Sequence, residues 1–167
     1  MRILVFTEGT ILMHAAGYGL TPEERVKQVQ AGSHGIYDYG SYIPIGDSVI
    51  KLTNWQSQGV EISYLTSRKT DNEVQSVQKV LTQHGFPKGE LYKRTGDETY
   101  ADVVKRVAPN VLIEDDCESI GGLAETIGSQ LKKYGYNDLT IIIVPEFGGI
   151  SDLPEDVKTL PQYLESV

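Results

Sequence analysis

The chain has 167 residues, 40% hydrophobic and 23% charged, and its 23 acids against 15 Lys and Arg give a formal net charge of -8. That length predicts a single domain, residues 1–167, with a core large enough to need no staple. A field of this sign repels phosphate backbones and anionic lipid, so neither nucleic acid nor membrane is an expected partner, and a small anion needs a metal ion or local basic groups to be held.

The N-terminus enters a β-branched run, Ile3–Phe6, with neither a charged leader nor an apolar segment of signal length, and a cytoplasmic location is expected. Residues 13–43 then interrupt the pattern as a small insertion. Its capping box, Thr21-Pro22-Glu23-Glu24, with Pro at the first helical position, predicts a helix from Pro22 to Gln30. Beyond it the chain is rich in Gly and Tyr (Tyr37, Tyr39, Tyr42). An insertion after the first strand is expected to overhang the carboxyl edge of a parallel sheet, where open α/β sheets bind ligands.

Asp47 is placed to cap a helix carrying Val49, Ile50, Thr53 and Trp55, ended by Gly59. Val60–Leu65 is the second strand. Val74, Val77, Val80 and Leu81 repeat at helical spacing before His84-Gly85, and Leu91-Tyr92 is a weaker strand. Val103, Val104 and Val107 mark a helix stopped by Pro109, followed by a strand at Val111–Ile113. Ile120, Leu123, Ile127 and Leu131 form a single-face stripe and predict one helix. The last strand is Leu139–Val144, whose apolar centre is far too short to span a bilayer. Alternating strands and helices predict a doubly wound, mainly parallel α/β sheet of about five strands in three layers.

Three strand ends carry chemistry. After Val5-Phe6, Thr7-Glu8-Gly9-Thr10 presents backbone N–H groups and a hydroxyl, which suits an oxyanion or a metal and equally an ordinary Gly turn. Thr66-Ser67-Arg68 offers two hydroxyls and a planar cation to a phosphate, or simply starts the next helix. Glu114-Asp115-Asp116-Cys117-Glu118 puts four carboxylates in five residues at the end of a buried strand. Those acids repel one another unless a hard cation, Mg²⁺ first, sits among them, or unless they cap the following helix. Glu146, after the last strand, is a further ligand candidate. Cys117, the sole cysteine, lies among acids that raise its pKa, and three scattered histidines make no zinc site.

In this order and at these positions, the segments Val5–Thr10, Leu65-Thr66-Ser67 and Ile113-Glu114-Asp115-Asp116 resemble the haloacid dehalogenase-like (HAD) superfamily of phosphoryl-transfer enzymes. Its first strand ends Asp-x-Asp-Gly-Thr, its second in Thr or Ser, its fourth in an acidic pair. The similarity covers nearly the whole chain outside 13–43. It implies a Rossmann-like HAD core with Mg²⁺ held by Asp115, Asp116 and Glu8, the last through its backbone carbonyl. It implies a phosphate held by Thr66, Ser67 and Arg68 with the Gly9 and Thr10 amides.

Departures from the family pattern are specific. Anchored on Glu8-Gly9-Thr10, the nucleophilic aspartate falls on Phe6; anchored on the strand, on Thr7. Glu8 stands for the family's general acid/base on a longer stem. Tyr100 takes the place of the family lysine, with Lys93 or Lys105 as spatial substitutes. The expected function is a phosphatase-type domain binding Mg²⁺ and a small phosphorylated molecule, any hydrolysis depending on Glu8 or Thr7. The alternative is a catalytically silent domain that binds a ligand or a protein.

Overall fold

The computed structural model describes residues 1–135 and 139–166. In chain order its elements are β1 (Arg2–Phe6), β2 (Leu12–Met13), α1 (Pro22–Gln30), β3 (Ile43–Pro44), α2 (Ser48–Ser57) and β4 (Glu61–Leu65), then α3 (Asp71–Gln83), β5 (Leu91–Tyr92), α4 (Tyr100–Val107), β6 (Val111–Asp115), α5 (Ile127–Lys133) and β7 (Thr140–Val144). Capping boxes start α1 at Thr21/Glu24, α3 at Thr70/Glu73 and α4 at Thr99/Asp102, each satisfying amide groups that a helix start leaves unpaired.

Five strands form one parallel sheet in the order β5-β4-β1-β6-β7. β1 is central, and the register pairs Phe6 with Leu65 and Val5 with Ile113, so the ends of β1, β4 and β6 converge. Alternation along the strands splits the core between two faces. Ile3, Val5, Ile62, Tyr64 and Ile113 pack with Trp55 and Leu52 of α2 and Val77 and Val80 of α3. Leu4, Leu65 and Leu112 pack with Val103 and Val104 of α4 and Ile127 and Leu131 of α5. The result is the three-layer α/β arrangement that the alternating pattern predicts.

β2 and β3 pair antiparallel and close the neck of the insertion, returning the chain to the sheet edge. Val26 of α1 is buried with Met13, Ile45 and Phe147. Arg25 fastens the insertion further: its Nε donates to the Gly17 carbonyl at 3.0 Å and its Nη1 to the Phe147 carbonyl at 2.8 Å.

Two expectations fail. The stripe from Ile120 to Leu131 is not one helix: Glu118–Ile120 and Gly122–Glu125 are 3-10 turns, and only Ile127–Lys133 is α-helical. Gly121 and Gly122 adopt φ of 138° and 79°, which breaks the run, and Ile120 and Leu123 are exposed. Asp47 occupies the N-cap position of α2 without capping it; its carboxylate accepts a hydrogen bond from Ser151 Oγ instead.

Gly89 lets the segment before β5 lie directly on β4, where Tyr64 N donates to the Glu90 carbonyl at 2.8 Å. A Cβ on Gly89 would stand 2.2 Å from the Ile62 carbonyl oxygen. Gly89→Ala is expected to destabilise the protein by about 1–3 kcal/mol, the usual cost of forced overpacking, read as a lower urea midpoint with unchanged slope.

Candidate functional site

The turn after β1 sends side chains in two directions. Glu8 reaches toward the end of β4. Its Oε1 accepts from Thr66 Oγ1, and its Oε2 accepts from Thr7 Oγ1 at 2.9 Å, Ser67 N at 3.0 Å and Ser67 Oγ at 3.2 Å. Arg68 Nε lies 3.9 Å from Oε1, and its guanidinium covers the Tyr39 ring at 4.2 Å. Three of the five residues expected to bind phosphate, Thr66, Ser67 and Arg68, are therefore gathered around one carboxylate. Thr10 reaches the other way, toward β6, and donates to Asp115 Oδ2 at 2.9 Å. The Gly9 amide donates to the Leu12 carbonyl, so the turn itself uses it. The resemblance implied the Gly9 and Thr10 amides as phosphate donors; in the structure the Gly9 amide serves the turn and the Thr10 side chain lies on the acidic side.

There, carboxylate oxygens of Asp115, Asp116 and Glu146 lie within 4.8 Å of one another, the one such group of three among the described residues. Their hydrogen-bond donors are neutral: Thr10 Oγ1 and Cys117 N on Asp115, Glu146 N on Asp116, Ser119 N and Oγ on Glu146. Burial, with the Glu146 charge next, raises Asp115 to about 6. Glu146 is raised by burial and by the charges of Asp116 and Glu118. Gly9 makes room for this approach: a Cβ there would stand 2.8 Å from Asp115 Oδ2 and 3.3 Å from Glu146 Cγ. Crowded carboxylates with no ammonium or guanidinium among their donors fit a divalent cation.

The Glu8 side chain is not part of this trio, and the expected role of Glu8 in holding a metal was through its backbone carbonyl; the third carboxylate is Glu146, 30 positions beyond Asp116 in sequence and tied to it by the Glu146 amide. Its position in sequence, an acid just past a strand ending at the same sheet edge, is what marked it as a further ligand candidate. Glu114 points to the opposite face and accepts from Ile127 N at 2.8 Å and Gly128 N at 2.7 Å, capping α5 across space. Cys117 sits at φ 55° with its thiol pKa raised by burial first and by the surrounding acids second. His14 is buried against the Phe147 edge and paired with Gln28, away from the chemistry.

A cleft of about 520 Å³ runs between the two halves, with Tyr37, Tyr39 and Tyr42 of the insertion along one side. Phe6 lines it, whereas Thr7 is fully buried beneath its floor with its hydroxyl on the Leu65 carbonyl and Glu8. Phe6 meets Tyr100 edge to face at 5.5 Å, and the Arg94 guanidinium lies over the Tyr100 ring at 3.9 Å. Where the family pattern calls for an aspartate and a lysine, an aromatic pair is packed.

No protein-family model matches the sequence, and no curated protein matches it. Solved structures do resemble the fold. The class C acid phosphatase from Bacillus anthracis with tungstate bound superposes with a TM-score of 0.55 at 15% identity, covering 99% of this chain and 78% of that one. A chain of the Pnkp1/Rnl/Hen1 RNA repair complex gives 0.52 at 11% identity, over 87% of this chain and 42% of that one. The fold is HAD-like. Within this HAD-like fold the strand ends that gather Glu8, Thr66 and Asp115 lie around the central strand, as the resemblance implied. No helix among the described residues is long and apolar enough to cross a membrane.

Burial raises Glu114 to about 7 against an ordinary value of 4.5. Glu114 and Asp115 thus hold protons more tightly in the folded state than in the unfolded one. Without metal, the contribution of these two groups to stability is expected to fall as pH rises from about 4 to about 7, by about 3 kcal/mol for Glu114, and to level off above that. Urea unfolding at pH 4.5 and 7.5 checks this. Glu114→Gln should show a shallower loss.

Proposed function

We propose that this chain binds Mg²⁺ at Asp115, Asp116 and Glu146 and the phosphoryl group of a small phosphorylated ligand at Thr66, Ser67 and Arg68. One observation carries the reading: Ser67 and Arg68 line the same cleft as Asp115 and Glu146, and no lysine or arginine among the described residues donates to the Asp115, Asp116 or Glu146 carboxylate. A bound cation would act as a Lewis acid on the phosphoryl oxygens. Tungstate, a tetrahedral oxyanion, occupies the acid phosphatase of similar fold and gives a chemical precedent for the anion side.

The chain's own residues restrict the reaction. Phe6 has no nucleophilic atom and Thr7 lies below the floor, so a covalent aspartyl intermediate has no residue to form on. Water attack assisted by the Glu8 carboxylate is the hydrolytic route these residues support. The packed Phe6–Tyr100 pair favours a second reading, a silent phosphatase-type domain that holds its ligand without turnover. The tyrosines of the insertion would then serve as the wall of a binding cleft.

Two measurements test these statements. Mg²⁺ at a hundredfold excess over its Kd is expected to raise the melting temperature by roughly 5–10 °C through mass action, and Asp115→Ala to lose the response. A folded Asp115→Ala protein that responds like wild type would remove Asp115 from the ligand set. A phosphoester panel assayed with Mg²⁺ separates the readings: phosphate release abolished by Glu8→Gln marks a hydrolase. Ligand and Mg²⁺ binding without release marks the silent domain.

A further inference from the structure

The phosphate donors of the proposed site are not idle. Thr66 Oγ1, Ser67 N and Ser67 Oγ all donate to Glu8, and the Arg68 guanidinium stands beside the same carboxylate. Thr7 Oγ1 adds another donor from below, and the Glu8 side chain is only 11% exposed. Leaving out Thr7, whose one proton also points at the Leu65 carbonyl, the set is one backbone amide, two hydroxyls and a nearby planar cation, the kind of donors that hold a tetrahedral oxyanion. Here it is satisfied from within.

We infer that Glu8 is a tethered anion that occupies the oxyanion subsite, so that a phosphorylated ligand binds only by exchanging with it. The inference rests on the assignment of Thr66, Ser67 and Arg68 to phosphate. Two anions cannot share these donors: their charges repel at contact distance, and each hydroxyl has one proton to give. The longer stem of Glu8 lets a residue of the turn after β1 span to the end of β4. An entering phosphomonoester dianion brings more charge and more acceptor oxygens than a carboxylate, and so displaces it; a monoanionic carboxylate ligand gains no such advantage. Exchange releases the Glu8 carboxylate into the cleft, where it becomes available as a proton acceptor. Selectivity for dianions, and the coupling of ligand entry to release of a base, both follow from this single contact.

The test is equilibrium binding of tungstate and of inorganic phosphate, by calorimetry, to wild type, Glu8→Ala and Glu8→Ala/Thr66→Val. Glu8→Ala is expected to bind at least tenfold more tightly than wild type, and the double variant to lose that gain. Glu8→Gln keeps the volume and removes the charge; it should also bind more tightly than wild type, and serves if the alanine variant does not fold. Wild type binding as tightly as both single variants, with Thr66→Val lowering the affinity, would overturn the tethered anion and leave the phosphate assignment standing. No binding by any folded variant would overturn the assignment itself, and the inference with it. Binding that survives in the double variant would put the anion elsewhere and overturn the inference.

Discussion

Two hydrogen bonds hold the ends of three strands together, from Thr66 to Glu8 and from Thr10 to Asp115. Both leave the same turn after the central strand, one toward each neighbour. Between them lies Gly9, at φ 85°, with the Asp115 carboxylate where a side chain would otherwise be. A residue with a Cβ at position 9 would push the acidic side away from the central strand. The two halves of the cleft are therefore set by one turn, and neither can be displaced without disturbing the other.

The two halves differ in how their charge is met. On the Thr66 side one carboxylate has several donors and a guanidinium nearby. On the Asp115 side several carboxylates share a few neutral donors, and burial and nearby acids raise the pKa values of Asp115 and Glu146. Strand alternation adds a further division within β6. Asp115 faces the cleft, while Glu114 turns to the other face and spends its charge on the start of α5. An acidic run that looks uniform in sequence is thus separated into ligand candidates and a helix cap by the pleat of the strand.

Much of this was legible in the residues. The apolar runs mark β1, β4, β6 and β7 to within two residues, because strands buried on both faces have little choice of composition. The Thr21-Pro22-Glu23-Glu24 box gives α1 its boundaries because capping is local chemistry. Less legible was everything that depends on side chains meeting across the sheet. Nothing local tells that Phe6 will pack on Tyr100, or that Glu8 will turn to Thr66 rather than to the acids. The stripe from Ile120 is not one helix for a local reason, Gly121-Gly122, whose positive φ values break the helical run despite its apolar periodicity. Asp47 failed because a distant hydroxyl on Ser151 competed for its carboxylate.

Arg25 ties these parts together mechanically. Its guanidinium spans from the Gly17 carbonyl to that of Phe147, while the Phe147 amide donates to the Gly9 carbonyl at 2.6 Å. A continuous strut therefore runs from α1, through the residue after Glu146, to the glycine between the cleft's two halves. The insertion is thus anchored at the residue next to Glu146, and the same residue is bonded to the glycine against which the Asp115 carboxylate packs.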